Sequence, residues 1–241
     1  MKQVERVTAE GVVTATVFRP QGASRAGVIL YMDAFGPRDA LDEMAERIAG
    51  WGYVVLVPDL FYRIGTYGPY DAATAFDDPV TRGALMAMIT ATSQDMTAAD
   101  GAVFLDMLAA EGASGSAGTV GYCMGGGRAL NAAAAYPDRI RAAASFHGGN
   151  LASDAPDSPH RRVGSIAGRV YVGSAGVDRS FPPEQSARLA QALREAEVDH
   201  VIKNYIGMEH GWCVPDHSVY DAVGAERHWR RLEAFFGEAL T

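Results

Sequence analysis

The sequence predicts an α/β fold with a mainly parallel central sheet and helices on both faces. Three observations lead there. Apolar runs of strand length alternate with longer segments whose apolar residues recur at helical spacing. Several of those runs are continuous rather than alternating, as in strands buried on both faces. At Gly121-Tyr122-Cys123-Met124-Gly125 a strand-like run turns directly into a helix-like one, with cysteine at the tip and glycine two residues to either side. A side chain on such a turn sits on strained backbone, and its neighbours must be small enough for close packing.

The elements follow in order. Val4 to Thr8 and Val12 to Phe18 alternate as a hairpin turned near Glu10-Gly11. Ala26 to Met32 is a short buried strand. Leu41, Met44, Ala45, Ile48 and Ala49 mark a helix stopped by Gly50. Tyr53 to Val57 is the next strand, ended by Pro58. Tyr62 to about Asp78, rich in Gly, Pro and Tyr, reads as a long loop. Met96, Ala99, Val103, Met107 and Ala110 mark a helix. The elbow strand Gly118–Tyr122 and its helix, Met124 through Ala135, come next. Ala142–Phe146 is a strand, Ser153–Gly168 a polar loop, and Val170–Gly173 a strand. A helix runs from Pro182 to about Glu197, prolines suiting a first turn whose N–H groups are unpaired anyway. His200–Tyr205 is the last strand, and Ala222, Ala225, Trp229, Leu232 and Phe236 line one face of the last helix. No repeat or low-complexity linker divides residues 1–241, which are expected to form one domain.

Composition narrows the function. A formal charge of −8 with no basic run argues against nucleic acid or an anionic membrane surface. No apolar run reaches the roughly 20 residues of a membrane span. The start, Met1-Lys2-Gln3-Val4-Glu5-Arg6, is not followed by a signal-peptide core. Two cysteines, Cys123 and Cys213, do not make a disulfide framework, so a cytoplasmic location is expected. No histidine, cysteine or aspartate cluster has metal-ligand spacing, and Gly125-Gly126-Gly127 lacks the Lys-Ser/Thr of a phosphate loop. No metal or cofactor is expected.

A cysteine nucleophile needs a base, a group to orient that base, and donors for the developing oxyanion. Each stands at the carboxyl end of a predicted strand, where open α/β sheets gather functional groups. Cys123 tips the elbow, Asp178 follows Val170–Gly173, and His210 follows the strand ending at Tyr205. Nucleophile, acid and histidine come in the order found in α/β-hydrolases. The amino end of the helix and a nearby imidazole both favour the thiolate. Met124 N–H is one expected oxyanion donor and Ala34 N–H the second. Asp154 and Asp157 are weaker rivals for the acid, since their loop precedes the expected strand. Ser145 has no elbow, and Cys213 reads as packing.

At these residues the chain resembles the dienelactone hydrolase family, the carboxymethylenebutenolidases, over nearly its whole length. The likeness rests on Gly-Tyr-Cys-Met-Gly-Gly at 121–126, Val-Pro-Asp-Leu at 57–60, Asp33-Ala34-Phe35-Gly36, and Glu-His-Gly at 209–211. It implies an α/β-hydrolase fold, a triad of Cys123, His210 and Asp178, and hydrolysis of a small lactone, ester or thioester through an acyl-cysteine. Two departures stand out. Where the family carries a glutamate thought to accept the thiol proton, this chain has Asp33, a candidate thiol gate or a support for its loop. Where the family has an arginine for the substrate carboxylate, four residues past the histidine, this chain has Val214; Arg82 is the candidate for a second such arginine. A substrate less anionic than dienelactone is therefore expected. Phe35, Tyr62, Arg82, His147, Phe181 and Trp212 are candidate pocket residues, with the Tyr62–Asp78 loop as a wall. The alternative is a non-catalytic, ligand-binding or thiol-sensing protein on a hydrolase scaffold. The expected partner is a small molecule, and the chain is expected to act as a monomer or small homo-oligomer.

Overall fold

The computed structural model describes residues 1–22 and 26–240. Eight strands form one sheet in the order β1-β2-β4-β3-β5-β6-β7-β8. The hairpin is β1 (Lys2–Thr8) and β2 (Gly11–Phe18), paired antiparallel. Strand β2 also runs antiparallel to β4 (Val54–Pro58). The remaining strands are β3 (Gly27–Tyr31), β5 (Ala117–Tyr122), β6 (Ile140–Phe146), β7 (Arg169–Val177) and β8 (His200–Glu209). Every pairing from β4 across to β8 is parallel. Strands β3, β4 and β5 are buried at every residue, which explains their unbroken apolar character.

The helices are α1 (Asp39–Gly50), α2 (Pro79–Ala91), α3 (Gln94–Ala110), α4 (Met124–Ala135), α5 (Pro183–Glu195) and α6 (Ala222–Ala239). They cover both faces. A Cβ added at Gly27 would strike Leu108 of α3, while one at Gly118 would strike Phe236 and Leu240 at the end of α6. Gly118 pairs with Val28, the residue after Gly27, and successive strand residues face opposite ways. Helices α1 and α6 pack together through Trp51 and Trp229, whose rings meet edge to face at 5.8 Å.

Three differences from the sequence reading have physical causes. Helix α2 was not expected. It buries only Leu85 and Met88, so it shows no clear apolar stripe, and its start is set by the Asp78 carboxylate accepting the Thr81 N–H at 2.8 Å. Helix α3 is present with Met107 buried, but Met96 and Val103 are only partly buried and Ala99 and Ala110 are exposed; its buried side is Thr97, Asp100, Gly101, Phe104, Met107 and Leu108. A buried Asp100 held by Arg63 and the close approach of Gly101 to Tyr136 set that orientation. Strands β7 and β8 run several residues further than expected, to Val177 and Glu209. Those extensions deliver Asp178 and His210 directly at strand ends. The expected polar loop after β6 contains two short 3-10 turns, Pro159–Arg161 and Val163–Ser165.

Candidate active site

The elbow is built by its glycines. Cys123 has φ 55° and ψ −121°, a conformation that joins β5 to α4 in a single residue. A Cβ on Gly121 would lie 1.9 Å from the Gly125 carbonyl oxygen. One on Gly125 would lie 2.3 Å from the Tyr31 carbonyl oxygen, and one on Gly126 would lie 2.3 Å from Ser145 Oγ. The helix start is thereby drawn against the end of β3, beside the turn carrying Asp33 and Ala34. Met124 and Ala34 are both buried, and neither of their backbone N–H groups donates to another described group. They are free to serve an incoming oxyanion.

Cys123 is partly exposed. The His210 imidazole is close enough to feel the charge of its side chain. On the other side, His210 Nδ1 lies 2.8 Å from Asp178 Oδ2, which leaves Nε2 for the sulfur. Burial opposes a charge on His210, but the Cys123 sulfur and the Asp178 carboxylate outweigh it and push its pKa up to about 10. Burial likewise works against the Asp178 carboxylate, yet its bonds to His210 and Ser180 hold its pKa below the usual value. Ser180 was not foreseen. Its hydroxyl donates to Asp178 Oδ1 at 2.6 Å and lies 3.2 Å from His210 Nδ1, and its N–H donates to the same carboxylate at 2.8 Å. A serine two residues past an aspartate is the signal of such a turn.

Asp33 takes a structural position. Its carboxylate accepts two bonds from Arg38, at 2.7 and 2.9 Å, and one from the Phe35 N–H at 3.1 Å; His217 Nε2 lies 3.1 Å away. Burial alone would raise its pKa, but the His217 bond and the Arg38 charge bring it below the usual carboxylate value. An acid so bonded supports its loop, the second of the two readings offered for Asp33. Arg38 also holds Asp216 through two bonds, at 2.5 and 2.9 Å. Arg38, Asp216 and His217 were all missed, because nothing local marks partners 178 and 184 residues apart.

The pocket candidates divide. Phe35 is buried against His217, at 5.4 Å between rings, and against Phe76 of the long loop, at 5.5 Å. Tyr67 of that loop packs on Gly36, so the loop does lie over the Asp33–Gly36 turn. Phe181 is buried next to Ser180. Tyr62 is a correction: its hydroxyl donates to Asp100 of α3 at 3.0 Å and Arg63 stacks on its ring, so it belongs to that buried cluster. Arg82 is a second correction, being exposed and donating to the Phe76 carbonyl at 3.1 Å. Trp212 is a third, fully buried and packed on His147 and Tyr205 beneath the site. His147 is also fully buried, with Nδ1 accepting the Cys123 N–H at 3.1 Å. Val214 is fully buried. Among the described residues there is no cluster of three or more His, Cys, Asp or Glu able to hold a metal ion, and no helix long and apolar enough to cross a membrane.

Comparison with known proteins agrees with this architecture. The carboxymethylenebutenolidase of Rhodococcus opacus is 26% identical over 225 residues, covering 89% of this chain and 81% of the relative. The crystal structure of a dienelactone hydrolase-like promiscuous phosphotriesterase from metagenomic libraries matches with a TM-score of 0.82 at 22% identity, over 100% of this chain and 98% of its own. That of a dienelactone hydrolase from Anabaena variabilis matches with a TM-score of 0.66 at 17% identity, over 100% and 98%. At those identities the two structures speak for the α/β-hydrolase fold. The family model of the dienelactone hydrolases matches residues 13–240, from the hairpin to the last helix. With the fold and nearly the whole length in agreement, the chain belongs to the dienelactone hydrolase family of ester and lactone hydrolases.

Proposed function

We propose that this protein hydrolyses a small lactone, ester or thioester through an acyl-cysteine formed on Cys123. The observation that carries the reading is the 2.8 Å contact of His210 Nδ1 with Asp178 Oδ2, with His210 and the Cys123 elbow meeting on the same His147 ring. The reacting pair is the Cys123 thiolate and the His210 imidazolium, the form in which the sulfur attacks. The thiolate attacks the carbonyl carbon, and the electron pair of the C=O bond moves onto oxygen. Met124 N–H and Ala34 N–H receive that oxyanion, each worth on the order of 3 kcal/mol in the transition state. Collapse re-forms the carbonyl and breaks the bond to the leaving group, which takes its proton from His210 Nε2. The neutral imidazole then removes a proton from water, and the hydroxide attacks the acyl carbon. Sulfur departs as thiolate and His210 keeps the proton, restoring the reacting pair. Asp178 holds Nδ1–H throughout and stabilises the imidazolium.

The substrate is read as uncharged near its reacting carbonyl. Val214 is buried and apolar, Arg82 is exposed and bonded to its own loop, and Arg38 is held by two carboxylates. None of these three positions offers a guanidinium fork to a substrate carboxylate.

The deciding experiment mixes the protein with a panel of lactones and aryl esters and looks by mass spectrometry for an acyl adduct on Cys123. Cys123→Ala should fold, form no adduct and release no acid. Turnover at the wild-type rate in that variant would end the cysteine mechanism.

A further inference from the structure

His147 touches both the nucleophile and its base. It follows β6 directly, in a left-handed conformation with φ 37°, and its own N–H donates to the Gly173 carbonyl at 2.8 Å. Its Nδ1 accepts the backbone N–H of Cys123 at 3.1 Å; that N–H also lies 3.2 Å from the Phe146 carbonyl. The ring meets His210 edge to face, with 4.8 Å between centroids. Trp212 at 5.3 Å, Tyr122 at 5.9 Å and His217 at 6.4 Å enclose it. No part of the side chain reaches solvent.

We propose that His147 is a positioning residue for the nucleophile, its neutral ring holding Cys123 by the backbone while its edge sets the face of His210. The proposal rests on the reading of Cys123 as the nucleophile. The chemistry is constrained. An Nδ1 that accepts an N–H carries no proton, so the ring proton is on Nε2. Protonating Nδ1 would set two donors face to face at the elbow. Burial opposes that protonation, as would the charges of His210, His217 and His228, and keeps His147 neutral. A neutral ring also leaves the His210 imidazolium unopposed. The Cys123 N–H is thereby withdrawn from the space above the sulfur, leaving the Met124 and Ala34 N–H groups to define where the oxyanion sits. His147 Nε2–H has no partner among the described groups, so Nδ1 is the nitrogen doing the holding.

The test pairs two substitutions. His147→Phe keeps a ring and removes the acceptor. It should lower kcat by about 10- to 100-fold with little change in KM, and slow iodoacetamide alkylation of Cys123 in parallel. His147→Asn offers Oδ1 where Nδ1 stood and tolerates positive φ, so it should recover most of both losses. Equal effects from the two variants, whether both silent or both severe, would overturn the proposal. Should His147→Phe not fold, a long-range nitrogen–proton spectrum of the wild-type imidazoles decides instead. It should show His147 Nδ1 unprotonated at neutral pH, and a protonated Nδ1 would refute the role. Cys123→Ala separates the two readings: it should abolish turnover and leave His147 Nδ1 unprotonated. Turnover surviving in Cys123→Ala would remove the nucleophile on which the role depends, whatever the tautomer.

Discussion

Asp33 and Arg38 clasp the turn that carries Ala34 between them, joined by hydrogen bonds of 2.7 and 2.9 Å. The pair ties the proposed oxyanion donor to the segment after His210, because Arg38 also grips Asp216 and Asp33 also meets His217. Two loops far apart in the chain are thus fixed to each other.

Removing one member of that pair should therefore be costly. Asp33 is fully buried, so Asp33→Ala leaves a largely buried guanidinium with Asp216 as its one carboxylate and the Gly36 carbonyl as its other acceptor. A loss of about 3–5 kcal/mol in unfolding free energy is expected by urea titration. Asp33→Asn, which keeps size and loses charge, should lower kcat while leaving the alkylation rate of Cys123 within a few-fold of wild type. A large fall in that alkylation rate would return Asp33 to the role of thiol gate.

The raised pKa of His210 has a direct spectroscopic consequence. Both its ring nitrogens should be protonated at neutral pH, and the titration should be centred near 10. In Cys123→Ala the sulfur that supports this charge is gone, and the midpoint should move down. For stability the sign follows from linkage. The folded value lies above the ordinary 6.5, so the His210 contribution is fully present below about 6.5 and is lost as pH rises through about 10. Asp178 acts oppositely: its contribution is present above the ordinary carboxylate value and is lost as pH falls through its lowered one. A His210 titration near its ordinary value in the wild type would contradict the support given by the sulfur and Asp178.

What the sequence disclosed, and what it hid, divides by distance along the chain. The elbow was legible because its geometry is local: Gly121, Gly125 and Gly126 are glycine for contacts made within one strand and one helix turn or with an adjacent strand. The positions of Asp178 and His210 were legible from strand order, although the strands end later than their apolar runs suggest, since β8 emerges into solvent at Ile206. Helix α2 was hidden because most of its apolar residues, Val80 and Met86 among them, are exposed. The Arg38–Asp216 and Asp33–His217 contacts were hidden because a parallel sheet joins segments with no shared local pattern. Tyr62 was misread for the same reason, its partner Asp100 lying on a helix 38 residues on.

The elbow glycines allow a strong prediction on stability. Gly121→Ala places a methyl 1.9 Å from the Gly125 carbonyl oxygen, and Gly125→Ala places one 2.3 Å from that of Tyr31. Both neighbours are backbone and cannot swing aside. Each variant should lose more than about 4 kcal/mol or fail to fold, as judged by thermal unfolding. Gly83→Ala, at an exposed position in α2 with nothing within 4 Å of the added Cβ, should instead be neutral or gain up to about 1 kcal/mol. A tolerant Gly121→Ala would mean that the turn is looser than its contacts imply.

Ser180 supplies a graded test of the relay. Its hydroxyl donates to Asp178 Oδ1 at 2.6 Å, supporting the charge that in turn supports His210. A bond to a charged group is worth about 1.5–3 kcal/mol, so Ser180→Ala should slow kcat by roughly 10- to 100-fold if most of that bond is felt in the transition state. Asp178→Asn, which removes the charge itself, should cost on the order of 10⁴. The ranking matters more than either figure. A serine variant as damaged as the aspartate variant would assign Ser180 a proton-transfer role rather than a supporting one.

Substrate charge offers the last separation. A bidentate arginine–carboxylate contact in a shielded site is worth about 1.5–3 kcal/mol, or roughly 10- to 100-fold in kcat/KM. Val214 is fully buried, Arg38 is bound at both ends, and Arg82 lies on the surface. A neutral lactone should therefore outperform its carboxylate-bearing analogue of the same ring size. Arg82→Ala should leave the ratio unchanged. If the carboxylate analogue is preferred and that preference falls in Arg82→Ala, then the arginine swings in from the surface when substrate binds.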